Sequence, residues 1–215
     1  MSDFEFTYIL DNKEYRAIVK RKKMKNIHYT YKDGVFKISA PRLFVTQKQI
    51  IDGLNKYARK LVQMDVRSSA RTDEYIYILG TKVLLKDAGE ISFTDGEKII
   101  YKDQKDFDKK LKKWFLTFIS KRNAYYEKMM GIKKPYKVHV KRMTSRYGSN
   151  SKGTHSLSYS MVLLHYTSDV IDSVIVHELA HEFVRNHSKQ FYDVVYKYCP
   201  NYKELHSRLR KGKFA

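Results

Sequence analysis

Three histidines and one glutamate near the C-terminus have the spacing of a metal-dependent hydrolase. His177, Glu178 and His181 form an H-E-x-x-H pattern within a stretch of helical periodicity, and His187 follows. Because an α-helix repeats every 3.6 residues, His177 and His181 project from one face and can hold one metal ion. Glu178 can take a proton from activated water without binding the metal itself. The pattern predicts a zinc-dependent hydrolase with one Zn2+ per chain.

His187 can join the other two histidines only if the helix ends before it. The six residues that separate it from His181 correspond to about 600° of helical rotation, which points His187 away from the metal. We predict the break at Arg185 and Asn186, because asparagine tolerates the left-handed conformation that ends helices. With His187 as third ligand, the site keeps the open fourth position that catalytic zinc uses for water.

The H-E-x-x-H pattern alone also arises by chance in helices that bind no metal. Here Val170 and Val174 precede the histidines at helical spacing, so the histidines continue an apolar, inward-facing stripe. Burial of two imidazoles without partners is unfavourable, and a metal removes that penalty. The metzincins share the distance between first and third histidine, but Val184 replaces their glycine and no Met-turn follows His187. The metzincin family is therefore disfavoured.

A longer set of motifs resembles the YgjP-like family of metal-dependent hydrolases, which is related to the SprT-like and WLM peptidases. The family has an R-W-G-S-C block, a short strand, a D-Y-V-x-x-H-E-L-x-H helix, and an N-H-S motif before an aromatic pair. Here these motifs stand at residues 146–150, 157–164, 172–181 and 186–188, and at Phe191 with Tyr192. The resemblance extends over nearly the whole chain, because Asp33–Gly34 and Ala40–Pro41 match motifs of its N-terminal part.

Three positions depart from the family pattern: Tyr147 replaces tryptophan, Asn150 replaces cysteine and Ser173 replaces tyrosine. The ligands and the glutamate are intact, so the resemblance implies an active enzyme, and we expect the departures to affect substrate preference. The resemblance also implies that Arg146, with Arg142 as the alternative, stabilises the oxyanion that develops on the substrate. Both arginines could instead be ordinary surface residues.

Hydrophobic periodicity places these motifs in an α+β fold with two lobes. Residues 1–104 are predicted to form an N-terminal antiparallel β-rich lobe with one helix, which opens at a Thr46/Gln49 capping box. Residues 105–215 are predicted to form a zincin-like, metal-binding catalytic lobe that contains the H-E-x-x-H helix.

Within the catalytic lobe, the patterns assign a position to each neighbour of the metal site. Residues 106–130 form an amphipathic helix that backs the site. Residues 142–153 are predicted to be a loop. By the family resemblance, residues 157–164 are the edge strand that holds extended substrates beside the metal helix, which begins near Ser168.

The composition is that of a folded protein in a reducing compartment. The chain has 215 residues, 42% of them hydrophobic and 14% aromatic, which suffices for a substantial core. Its single cysteine, Cys199, excludes an intramolecular disulfide. The N-terminal segment lacks the apolar core of a targeting signal, and no apolar run is long enough to span a bilayer. We therefore expect a cytoplasmic protein without a membrane segment; the sequence leaves its oligomeric state open.

Positive charge is the second feature that indicates a partner. The formal net charge is +20, with lysine and arginine clusters that include residues 20–23 and 208–213. The positive electrostatic potential of such clusters attracts nucleic acid, acidic protein or nucleotide phosphates. Ordinary solvated surface is the alternative, because no known nucleic-acid-binding motif occurs in the chain.

Three functions are therefore compatible with the sequence. A zinc metallopeptidase that cuts peptides is favoured, because a single zinc, a glutamate base and a strand edge suit that chemistry. A hydrolase of nucleoside triphosphates or other phosphoanhydrides is the second, supported by the basic surface. A basic nucleic-acid-binding module with a structural zinc is the third. Glu178 counts against it, because a structural site has no use for a carboxylate that is not a zinc ligand.

Overall fold

The computed structural model describes residues 2–32, 34–93, 96–143 and 146–215, and its contacts divide the chain into two compact units. Unit 1 is Met1–Ser69 and unit 2 is Ala70–Ala215. This division lies earlier in the chain than the predicted boundary at 104/105. The physical reason is backbone pairing: the N–H groups of Leu79 and Gly80 donate to the carbonyl oxygens of Leu164 and His165, which ties residues 70–104 to unit 2.

Unit 1 is a four-stranded sheet with one helix. Its elements are β1 (Phe4–Leu10), β2 (Lys13–Lys22), β3 (His28–Lys32), β4 (Val35–Pro41) and α1 (Gln47–Ser69), and the strand order is β1-β2-β4-β3. The β1–β2 and β3–β4 pairs are antiparallel, as predicted, whereas β2 and β4 are parallel. The sheet is therefore mixed, because β4 and not β3 lies beside β2. Asp33 of the predicted Asp33–Gly34 turn lies outside the described residues.

Helix α1 begins at the predicted capping box. The N–H of Thr46 donates to the side-chain oxygen of Gln49 at 2.8 Å, and the N–H of Gln49 donates to the Thr46 hydroxyl at 3.2 Å. These bonds satisfy groups that have no partner within the helix. The helix then buries Ile50 and Leu54 in a core shared with the sheet residue Phe36.

Unit 2 contains two hairpins, a long helix, a second sheet and three further helices. Its elements are β5 (Tyr75–Ile78), β6 (Thr81–Leu84), β7 (Gly89–Ser92), β8 (Lys98–Tyr101), α2 (Gln104–Met130), β9 (Lys137–Lys141), β10 (Gly148–Ser151), β11 (Ser156–Ser160), a 3-10 helix (Met161–His165), α3 (Ser168–Ala180), α4 (Lys189–Tyr198) and α5 (Tyr202–Lys211). No helix in the described part of the chain combines the length and the apolarity that a membrane crossing requires.

The second sheet corrects the prediction of which strand forms the edge. Its order is β10-β11-β9, so β11, which carries the first part of the predicted edge strand at residues 157–164, is the central strand. The two edge strands are β9 and β10, and the one beside α3 is β10, which lies inside the predicted loop at residues 142–153. Its sequence, G-S-N-S, has low intrinsic strand propensity, and β10 exists because it pairs with β11, with Gly148 opposite Tyr159.

Helix α2 lies behind α3, as the amphipathic pattern predicts. Its apolar side buries Phe107 and Phe115. Across the helix pair, the guanidinium of Arg122 donates two hydrogen bonds to the buried carboxylate of Asp172, and the Tyr126 hydroxyl donates a third at 3.1 Å. These bonds join the two helices, and removal of the half-buried Arg122 would leave the buried carboxylate of Asp172 without its compensating charge.

Candidate metal centre

Helix α3 presents the first part of the histidine motif at its C-terminal end. His177 and Glu178 lie in its last turn, and His181 is its C-cap residue. The helix therefore ends at Ala180, five residues before the break that the sequence predicted at Arg185 and Asn186. The N–H groups of Glu182 and Phe183 donate to carbonyl oxygens three residues earlier, so tight turns replace the helical pattern directly after Ala180.

The early end of α3 brings His187 back to the other two histidines. One ring nitrogen from each of His177, His181 and His187 lies within 4.8 Å of the others. The Nε2 atoms of His177 and His187 are 3.1 Å apart. Zinc-to-nitrogen bonds of about 2.0–2.1 Å in tetrahedral geometry place two ligand nitrogens roughly 3.4 Å apart. The three histidines therefore fit a metal ion with only small adjustments.

Neighbouring side chains hold the histidine rings in this arrangement. Fully buried Phe191 of α4 packs against all three rings, with centroid distances of 4.6 to 4.9 Å. The Nδ1 atom of His177 is 2.8 Å from the Tyr202 hydroxyl, which is also 2.9 Å from Nδ1 of His206. The Nδ1 atom of His181 is 3.2 Å from the carbonyl oxygen of Val184. Such contacts fix the ring orientation and leave Nε2 for a metal.

The electrostatic surroundings favour the ligand form of His177. Burial is the main cause that lowers the pKa of its imidazole to about 3, and the neighbouring His181 and His187 add to the effect. Burial also lowers the pKa of His181. Because only the neutral imidazole binds a metal, both side chains are in the required protonation state at neutral pH.

Glu178 lies beside the histidines but outside their ligand group. Its side chain is 7% exposed, and burial raises the pKa of its carboxyl to about 7. A hydrogen bond from the backbone of Asn150 and the charge of Arg146 oppose this increase in pKa. The Asn150 side-chain amide also donates to the backbone carbonyl oxygen of Glu178 at 2.9 Å. Strand β10 therefore positions both the carboxylate and the end of α3.

The absence of a side chain at Gly148 makes room for Glu178. A Cβ atom there would lie 2.5 Å from Oε1 and 2.8 Å from Cδ of Glu178. We expect Gly148→Ala to displace the carboxylate and to lower turnover at least about 10-fold, because a small misplacement of a catalytic group is costly. Zinc content should stay unchanged. Gly153→Ala is the matched control, because a Cβ atom there would meet nothing within 4 Å and Gly153 does not line the cleft. Equal activity of the two variants would contradict this role for Gly148.

The raised pKa of Glu178 also predicts how its replacement affects stability. The carboxyl has a higher pKa when folded than the ordinary 4.5, so the metal-free protein loses stability as the pH rises from about 4.5 through 7. Glutamine cannot ionise and avoids this loss. We expect the free energy of unfolding of metal-free Glu178→Gln, measured by urea denaturation, to exceed that of the wild type by on the order of 3 kcal/mol at pH 8 and by less than about 1 kcal/mol at pH 5. A pH-independent difference would contradict the raised pKa.

An open cleft of about 610 Å³ adjoins the three histidines. Its lining residues are Arg146, Gly148, Ser149, Asn150, Lys152, His177, Glu178, His181, Arg185 and His187. Arg146 thus lies in the cleft, exposed, whereas Arg142 lines a separate cavity with Leu111 and Met161. The geometry favours Arg146 over Arg142 as the group near a substrate, and its role in the reaction stays a prediction.

The three departures from the family pattern have different environments. Asn150 faces the cleft and contacts Glu178. The hydroxyl of Tyr147 donates to the carbonyl oxygen of Leu209 in α5 at 3.1 Å. Ser173 is buried within α3, and its hydroxyl donates to the carbonyl oxygen of Val170 at 2.7 Å. Asn150 therefore lines the metal cleft, whereas Tyr147 lines a smaller neighbouring cavity with His177 and Glu178.

One family model matches most of the chain. The chain matches the YgjP-like metallopeptidase domain over residues 25–212. Among solved structures, the metallopeptidase zymogen of Pyrococcus abyssi abylysin is similar at 21% identity and a TM-score of 0.40, over 42% of this chain and 90% of that chain. The zymogen of Methanocaldococcus jannaschii jannalysin shows 19% identity and a TM-score of 0.39, over 42% and 92%. No curated protein sequence matches the chain.

Proposed function

Because the chain belongs to the YgjP-like metallopeptidase family, we propose that it is a zinc peptidase whose zincin-like catalytic lobe lies in unit 2. His177, His181 and His187 hold one zinc ion. The proposal rests on one observation: three histidine nitrogens converge beside a buried glutamate that does not belong to the ligand group. A zinc ion bound there supplies Lewis acidity toward water and the substrate carbonyl.

Glu178 is the proposed general base. Its carboxylate accepts a proton from water and later returns it to the leaving amine, and burial in the metal-free protein raises its pKa and so its affinity for that proton. Gly148 leaves room for the carboxylate at the cleft wall, and the backbone N–H of Asn150 donates a hydrogen bond to it. Arg146, at the rim of the same cleft, is the proposed partner of the oxyanion on the substrate.

The substrate-binding edge is proposed to be β10. It is one of the two edge strands of its sheet, and it is the one whose residues Gly148, Ser149 and Asn150 line the cleft beside α3. An extended peptide can add to such an edge through main-chain hydrogen bonds, which hold it without demanding one sequence. We therefore assign to β10 the role that was predicted for residues 157–164, namely that of the edge strand that holds extended substrates.

A parallel assay tests the proposed function. Zinc-loaded protein is incubated with unstructured peptides, with a casein-like protein and with a panel of nucleoside triphosphates, and each cleavage product is quantified. We expect peptide-bond cleavage that a chelator stops and added zinc restores. Turnover of nucleotides without cleavage of any peptide would overturn the proposal.

Phosphoanhydride hydrolysis at the same site is the second candidate. Its support is the positive charge of the cleft, whose lining residues include Glu178 as the single carboxylate.

Nucleic-acid binding stays a prediction from the net charge of +20, and a purely structural zinc is disfavoured by the base beside the ligands. A cytoplasmic location stays a proposal that rests on Cys199, which is buried and forms no disulfide.

A further inference from the structure

Three cations, Arg146, Lys152 and Arg185, line the metal cleft, and the single carboxylate among the lining residues is the buried Glu178. In the described part of the chain, none of the three cations takes part in an ion pair. Lys152 donates instead to the backbone carbonyl oxygen of Glu182 at 3.2 Å. The carboxylate of Glu182 accepts from the Tyr136 hydroxyl. The cleft therefore offers exposed positive charge to whatever occupies it.

The positions of these cations follow the edge strand. Arg146 precedes β10 and Lys152 follows it directly, so the two residues bracket the strand. At about 3.3 Å per residue, their backbone positions are on the order of 20 Å apart. Arg185 lies across the cleft, in the turn between His181 and His187. The charges thus mark both ends of the edge and the facing wall.

This distribution fits an elongated anion better than a compact one. Sites for triphosphates concentrate their cations and backbone N–H groups around one small volume. Here the two cations that bracket β10 are separated by the length of the edge that would pair with an extended backbone. Because Arg146 is assigned to the substrate oxyanion, the carboxylate side chains of a bound peptide would approach the other two cations, Lys152 at the end of β10 and Arg185 on the facing wall.

We infer that the substrates are acidic peptides, bound along β10 with aspartate or glutamate side chains near Lys152 and Arg185. This inference rests on the proposed peptidase function. Because all three cations are exposed, each contact is screened by solvent and salt. The preference should therefore be moderate at low ionic strength and should diminish as salt is added.

Peptide binding to zinc-loaded Glu178→Gln tests the inference without turnover. Three fluorescently labelled peptides of equal length carry glutamate, glutamine or lysine at the same positions. The charge-reversal pair Lys152→Glu with Arg185→Glu is compared with Lys113→Glu with Lys137→Glu, which has the same net-charge change on exposed residues that do not line the cleft. Zinc content and the unfolding transition verify that each variant is intact.

We expect the parent protein to bind the glutamate peptide at least about 10-fold more tightly than the glutamine peptide at low salt. The cleft pair should abolish or reverse this preference, while the control pair should keep it within about twofold. Equal binding of the three peptides, or equal loss in both variants, would overturn the inference. Hydrolysis by the wild type separates the two proposals. Cleavage of the three peptides without any charge preference would contradict the preference for acidic peptides and leave the peptidase function intact. Hydrolysis of nucleotides without cleavage of any peptide would contradict both proposals.

Discussion

Glu178→Gln is expected to lower kcat/KM for peptide hydrolysis by at least about 10²-fold, the usual scale of lost general-base assistance. Glutamine has nearly the same shape, so it fits the space beside Gly148, but its amide cannot accept the proton of the attacking water. Because Glu178 lies outside the ligand group, zinc should stay bound at one ion per chain. Steady-state kinetics and metal analysis of the same preparation measure both quantities.

Glu182→Gln is the matched control for this experiment. Glu182 lies four residues further along the chain and contacts Tyr136, but it does not line the cleft. Its replacement should change kcat/KM by less than about threefold. Unchanged activity of Glu178→Gln would remove Glu178 from the mechanism, and loss of zinc from that variant would show that the carboxylate is a ligand.

Loss of a histidine ligand is the second large effect. We expect His177→Ala and His181→Ala to abolish zinc retention during dialysis and to eliminate activity, because two remaining ligands hold zinc poorly. His187→Ala should weaken zinc binding severely. It removes an exposed ligand from a turn, whereas His177 is held by Tyr202 and His181 by the Val184 carbonyl.

His155 provides the control for the ligand assignment. It stacks on Tyr136 at a centroid distance of 4.0 Å, and its Nε2 atom is 2.9 Å from the carbonyl oxygen of Lys134. It is not in the three-histidine group, so His155→Ala should keep one zinc per chain. Full zinc content in all three ligand variants would show that the metal is held elsewhere.

Part of the fold and of the site could be predicted from the sequence, because it depends on residues that are close together in the chain. The spacing of His177 and His181 depends only on helical geometry, and the capping box of Thr46 and Gln49 depends on four consecutive residues. Both are short-range features, so a sequence pattern describes them well. The same holds for the motifs around His187, through which the YgjP-like family membership was predicted.

Only the tertiary structure decided how these residues are supported and which edge faces the cleft. Strand β10 has little propensity of its own and forms because distant β11 pairs with it. Tyr202, which orients His177 from α5, and Gly148, which makes room for Glu178, carry no local signal for those contacts. The parallel pairing of β2 and β4 likewise depends on where the chain returns to the sheet. Such contacts join residues far apart in the chain, and their geometry exists only once the chain has packed.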